Sequence, residues 1–289
     1  MKLRKFWKYA ATTAVLFTTL PVCTFAQSPS VTVSNEVTNA EAGFIVPGPT
    51  SFLAGVEISA TGANAGSVRW DNGGNVVPYT ENYIGGIGTI KMQGVNIPNV
   101  NSGVGTNFLG VLVNGDGSLS NKTIDVGNIN LAGNTGLAMS GFYTYRDTAF
   151  DGTLKIGNVS VTNNNNAATV WATGVNFVDK ANITIDISGK VTVGNINVKG
   201  FDVVGFRAKD IVGGAEVTLG DIDVTAGTGT GAWWSCGVGV SDIVDGKLSI
   251  GNVNVTSTSN NDVSGVGLRG IMANGSLAIK ILLSHVTHE

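Results

Sequence analysis

Thr153-Leu154-Lys155-Ile156-Gly157-Asn158-Val159-Ser160-Val161 sets aliphatic side chains at Leu154, Ile156, Val159 and Val161. Alternation with a period of two marks a strand with one buried face. The step of three residues across Gly157-Asn158 breaks that alternation, and a straight strand would turn its second half outward there. Two short strands joined by a bend keep both halves facing one interior. Glycine and asparagine tolerate left-handed backbone, so a corner with φ > 0 is expected at this pair.

The unit recurs. Repeats begin at Thr89, Thr123, Thr153, Lys190, Glu216 and Lys247, with a partial seventh at Ser276, at spacings of 34, 30, 37, 26, 31 and 29 residues. All 24 aliphatic positions of the six full copies are Ile, Val, Leu or Met. A motif repeated every 20 to 50 residues signals a stacked architecture. A third short strand is expected at Gly141-Phe142-Tyr143, Gly174 to Phe177, Gly205-Phe206, Gly237 to Val240 and Gly265 to Leu268. The reading is an all-β chain folded as a right-handed parallel β-helix (β-solenoid) with about 30 residues per coil. Each coil climbs about 4.8 Å, so the repeats make a rod of about 30–35 Å. Asn128, Asn158, Asn195, Asp221 and Asn252 are expected to stack at the corner as a ladder of hydrogen-bonded amides. Length variation falls between motifs, as in the excursion 162–169, and such insertions form loops on one flank. The alternative is a β-sandwich or β-propeller; a propeller blade would need about 40–45 residues and four antiparallel strands, and these copies are too short and carry no Asn-Gly or Asp-Gly hairpin set at regular intervals.

Three regions follow. Residues 1–26 read as a secretory signal peptide: four basic residues at Lys2, Arg4, Lys5 and Lys8, an apolar run from Tyr9 to Val22, and small residues at Thr24 and Ala26. Leu20-Pro21-Val22-Cys23 only partly fits a lipoprotein box. Residues 27–88, with Val31-Thr32-Val33, Val56-Glu57-Ile58 and Trp70, read as an N-terminal cap with degenerate coils, since open strand edges need cover. Residues 89–289 are the solenoid repeats. Leu277, Ile279 and Leu282 continue the pattern, while Lys280-Ile281 stands where Gly-Asn is expected.

Composition agrees. Charged residues are 13% of the chain and glycines number 41 of 289; average proteins have about 25% and about 7%. Removing the leader would leave 13 basic and 20 acidic residues, a formal charge of −7 against −3 for the whole chain. No basic stripe points to nucleic acid, and no second apolar stretch approaches the length of a membrane helix. Cys23 would leave with the leader, so Cys236 has no partner and reads as a small buried residue.

The chemistry-bearing residues are sparse. His285 and His288 lie in the last five residues and read as a solvated tail. Asn114-Gly115-Asp116-Gly117 has too few acidic ligands for a calcium loop and reads as a turn. Gly227 to Gly231 lacks the lysine of a phosphate loop. An enzyme acting on polysaccharide would need clustered carboxylates with a nearby base. The available set is Asp221 and Asp223, with Asp125 and Lys155 in nearly one outward column and Glu216 further along. Phe142, Tyr143, Tyr145, Trp171, Phe177, Phe206 and Trp233-Trp234 fall near the third strand, where they fill the interior or form a binding platform. No catalytic, cofactor or metal site is assigned.

The leader followed by Gly/Asn/Thr-rich repeats such as Leu248-Ser249-Ile250-Gly251-Asn252-Val253-Asn254-Val255-Thr256 resembles bacterial autotransporter or haemagglutinin-type adhesin passengers. The resemblance spans residues 89–283 and is architectural. It implies an exported, surface or extracellular β-helical stalk that meets a host surface, glycan or protein. The membrane β-barrel of some hundreds of residues that usually follows such passengers would not fit within these 289. The expected role is non-enzymatic presentation, with a carbohydrate-active β-helix enzyme as the alternative.

Overall fold

The computed structural model describes residues 30–33, 44–46, 52–59, 67–72, 75–77, 89–100, 107–165, 170–227, 235–257, 263–268 and 276–279. Residues 1–26, expected to be a signal peptide, the excursion residues 166–169, Trp233-Trp234, Leu282 and both histidines lie outside them. Among the described residues the architecture is all-β, without helix, and dominated by parallel sheets.

Successive repeats pair in parallel and in register. The first arms align Thr89, Thr123, Thr153, Lys190, Glu216, Lys247 and Ser276, strand upon strand. The second arms align Val95, Ile129, Val159, Ile196, Ile222 and Val253. Third arms Asn107–Asn114, Ala138–Tyr145, Trp171–Asn176, Asp202–Arg207, Ser235–Val240 and Val263–Leu268 form a separate parallel sheet. Asn107–Asn114 was not legible as a third arm, since the run Phe108 to Val113 is apolar on both faces.

All 24 aliphatic positions of the motif are buried, none more than 6% exposed. Both arms of every repeat therefore face one interior. Burying each such side chain is worth about 1.5–3 kcal/mol.

The corner works differently from the expectation. Gly157, Gly194, Gly220 and Gly251 are absent from the positive-φ residues, so backbone freedom does not select glycine there. Space does. A Cβ at Gly157 would lie 2.5 Å from Asn128 Oδ1, and one at Gly194 would lie 2.6 Å from Asn158 Oδ1. Gly220 stands likewise at 2.5 Å from Asn195 Oδ1, and Gly251 at 2.5 Å from Asp221 Oδ1. The ladder is not one of stacked amides. Asn128 Oδ1 accepts the Asn158 N–H at 2.8 Å, and Asn158 Oδ1 accepts that of Asn195 at 2.9 Å. Asn195 Oδ1 accepts the Asp221 N–H at 3.0 Å, and Asp221 Oδ1 that of Asn252 at 2.8 Å. Only an acceptor oxygen is used, which is why aspartate serves at position 221.

A second glycine column sits in the third arms. A Cβ at Gly141 would meet Gly174 O and Val159 Cγ1, each at 2.7 Å; one at Gly174 would meet Gly205 O at 2.5 Å and Ile196 Cγ2 at 2.6 Å. These glycines let the second-arm aliphatics approach the backbone of the opposing sheet. The interior is thin there and widens where Phe142, Phe177 and Phe206 stack at 5.7 Å between successive centroids, with Phe150 edge-on to Phe177.

Before the first full repeat, Ser30–Val33 pairs in parallel with the first arm at Thr89, and Phe52–Ser59 pairs in parallel with Asn107–Asn114. On the other edge of Phe52–Ser59 the direction changes: Phe44–Val46 and Ser67–Asn72 pair with it antiparallel. That edge is thereby occupied.

Candidate functional site

Loops leave the stack on the flank between third and first arms. Phe150, Ile187, Ile211 and Ile243 line it inside, joined by isolated parallel bridges and a short pairing of Asp210–Val212 with Asp242–Val244. Outside it lies a charged cluster. Asp116 pairs with Lys180 and accepts the Asp147 N–H at 2.7 Å, while Lys180 also reaches Asp147 at 2.9 Å. Asp151 accepts from Leu119 N–H at 2.8 Å and from the hydroxyls of Ser118 at 2.7 Å and Ser120 at 2.8 Å. Arg146, 1% exposed, donates to Gly117 O at 2.7 Å and to Thr148 Oγ1 at 3.3 Å, and its guanidinium stands 3.8 Å from Asp151. Burial pushes the Asp116 carboxyl up, but Lys180 and the Asp147 N–H outweigh it and hold the group below its usual range. Asp151 is likewise lowered: its burial is outweighed by Ser118, Leu119, Ser120 and Arg146. The cluster ties three loops together, so the turn at Asn114 to Gly117 is anchored by ion pairing.

The carboxylates named from the sequence do not converge. Asp221 sits in the corner ladder. Asp223 faces outward on a second arm and accepts from Asn254 Nδ2 at 3.2 Å. Asp125 lies beside Lys155 on first arms, with Lys91 on its other side. Glu216 is not further along that column, which continues through Thr192 and Thr218. It belongs to the adjacent column, between Lys190 and Lys247, and pairs with Lys190 at 2.8 Å. Asp125 and Glu216 thus each stand between two lysines, a cross-strand charge arrangement.

The aromatics divide. Phe142, Phe177 and Phe206 are interior. Tyr143 and Tyr145 belong to a second buried cluster with Phe52, Leu109, Leu112 and Val178, on the opposite face of the third-arm sheet. Trp171 is 37% exposed. The third-arm sheet is therefore buried on both faces over much of its length.

On that opposite face one register line runs Tyr143, Asn176, Arg207, Gly239, Gly267. Arg207 is half-buried; its carbonyl accepts the Phe177 N–H at 2.9 Å, while its guanidinium makes no hydrogen bond or ion pair among the described residues. Burial pulls its guanidinium below its ordinary value. The titratable groups that bear on it are the Cys236 thiol, pushed up by burial to about 11, and the Tyr143 hydroxyl, also pushed up by burial. Both are neutral near pH 7 and neither offsets its charge. Asn176 is 6% exposed and its Oδ1 has no hydrogen-bond partner among the described residues. A Cβ at Gly239 would find only ordinary contacts, 3.6 Å from Cys236 Sγ and 4.0 Å from Arg207 Cγ. Sequence reading passed over this line, because residues from different repeats meet only once the third-arm register is known. The recurrent Gly-Val-Gly at Gly237 to Gly239 and Gly265 to Gly267 was its one visible trace.

Compared with protein-family models, curated proteins and solved structures, the chain matches none of them.

Proposed function

We propose that the chain is an exported protein, at the cell surface or secreted, built as a right-handed parallel β-helix that presents a side face and flank loops to a host or glycan partner. Right-handed crossing is the default for parallel connections. The observation that carries the reading is the unbroken register of outward polar columns over six repeats, such as Asn96, Asn130, Ser160, Asn197, Asp223 and Asn254. A stack of this kind has few ways to bend, so it holds loops on one flank at fixed spacing. The enzymatic alternative needs a carboxylate pair in one cleft, and Asp125, Asp221, Asp223 and Glu216 are spread over two arms and a corner. The adhesin-passenger likeness supports the same role.

Cell fractionation with N-terminal mass analysis tests the export half. The expected product begins after Ala26, lies outside the inner membrane, and is removed from intact cells by added protease or recovered from the medium. A cytoplasmic product that keeps residues 1–26 would sink the proposal.

A further inference from the structure

We propose that Asn121 and Asn182, on the flank between third and first arms, are acceptor sites for N-linked glycosylation. The acceptor motif is Asn-X-Ser/Thr with X other than proline, found on surface loops of exported chains. The sequence holds it five times, at Asn121-Lys122-Thr123, Asn158-Val159-Ser160, Asn182-Ile183-Thr184, Asn254-Val255-Thr256 and Asn274-Gly275-Ser276. Asn274 lies outside the described residues.

The fold separates the other four. Asn158 belongs to the corner ladder, where its Oδ1 accepts the Asn195 N–H at 2.9 Å. Asn254 lies on a second arm in register with Asp223, and its Nδ2 donates to that carboxylate at 3.2 Å. Both carboxamides are thus held within the stack. Asn121 and Asn182 are exposed, in left-handed backbone with φ 63° and 60°. Asparagine is one of the few residues with a side chain that adopts this conformation. Each stands in a turn fixed from beneath. Asp151 holds Ser118, Leu119 and Ser120, and the Lys122 N–H closes on Leu119 O at 2.7 Å. Asp179 Oδ1 accepts the N–H groups of Ala181 at 2.8 Å and Ile183 at 2.7 Å. The Tyr143 hydroxyl donates to Asn182 Oδ1 at 3.1 Å, so the oxygen faces the protein and the nitrogen occupies the other arm of the carboxamide. A sugar on that nitrogen leaves the Tyr143 bond intact and lies beside Ile183, the middle residue of the motif, which is 60% exposed.

The donor is a sugar activated at its anomeric carbon as a diphosphate ester, brought by a transferase that reads the motif. Nδ2 bonds to the anomeric carbon and gives up one proton to a base of the transferase. The anomeric C–O bond breaks, and its electron pair leaves on the diphosphate.

The inference rests on the export half of the reading above and deepens it by naming what the flank carries. It is tested on the protein purified from the cells that naturally make it, by mass spectrometry of its proteolytic peptides. Peptides with Asn121 and Asn182 are expected to carry sugar on the asparagine, and those with Asn158 and Asn254 none. Asn121→Gln and Asn182→Gln should each remove one glycan from the intact mass. Thr123→Ala and Thr184→Ala should remove the same glycans although the asparagines remain, and Thr123→Ser and Thr184→Ser should keep them. A bare asparagine at either position in the natural product overturns that site. Equal occupancy of Asn158 or Asn254, or sugar that survives the threonine-to-alanine changes, overturns the proposal as a whole. Location and sugar are read separately. An exported product that begins after Ala26 with both asparagines bare refutes the sites and leaves the export reading standing, whereas a glycosylated cytoplasmic product that keeps residues 1–26 does the reverse.

Discussion

Gly194→Ala tests the account of the corner. The added methyl would lie 2.6 Å from Asn158 Oδ1 and 2.9 Å from both C and O of Gly157. The carboxamide must swing away, forfeiting its 2.9 Å bond to the Asn195 N–H. At this exposed corner that bond contributes about 1 kcal/mol. The backbone overlap remains and, by analogy with overpacked sites, costs about 1–3 kcal/mol. Alanine restricts the unfolded chain and returns about 0.4–1 kcal/mol. The net expectation is a loss of about 2 kcal/mol. Asn158→Ala alone should cost about 1 kcal/mol, the value of its acceptor. In the double variant the bond is lost only once and the Oδ1 overlap is gone, so the combined loss should fall short of the sum by about 1 kcal/mol. Equilibrium urea unfolding by circular dichroism measures all four corners of the cycle, provided the denaturant slope is unchanged, since repeat arrays can lose cooperativity. Losses that simply add, or a neutral Gly194→Ala, would show that glycine is not there to make room for the amide.

Further outcomes follow from the same geometry. Asp221→Asn should be neutral within about 0.5 kcal/mol, because the ladder needs only Oδ1, whereas Asp221→Ala should cost about 1 kcal/mol by urea unfolding. Ile222→Ala, 1% exposed between two sheets, should cost about 2–5 kcal/mol, while Asp223→Ala one residue on should stay within about 0.5 kcal/mol. Asp116 and Asp151 have lowered folded-state values, so their stabilisation is fully present above the unfolded carboxyl value, near pH 4, and is lost as pH falls through the folded one. Acid unfolding should therefore be shallower in Asp116→Asn and Asp151→Asn; an unchanged acid limb would exclude the ion-pair network as its source. The Cys236 thiol, 4% exposed and pushed up to about 11, should react with a thiol reagent at pH 8 only at the rate of local opening; immediate stoichiometric labelling of the native protein would contradict its burial.

The repeat was legible because its information is local. Leu154, Ile156, Val159 and Val161 lie within eight residues, and a change of period inside so short a span leaves few ways to bury all four. The register Thr123, Thr153, Lys190 follows from aligning the copies, so the Asp125–Lys155 neighbourhood could be read as well. The column of Glu216 is legible too: in the aligned motif it takes the place of Thr153 and not of Lys155, which sets it one column away from Asp125.

Three things were beyond the chain alone. The reason for glycine at position 194 depends on where the oxygen of Asn158 comes to rest, 36 residues earlier, and the same Gly-Asn pair could as well have signalled a left-handed turn. The loop cluster joins Asp116, Asp147 and Lys180 over separations of 31 to 64 residues, and side chains in loops carry no periodicity from which such meetings can be read. The Arg207 line is set by the third arms, whose sequences vary most. Within each strand, alternation determined which residues turn inward; stacking between strands decided which outward residues become neighbours, because contacts along the axis depend on loop lengths that no local pattern encodes.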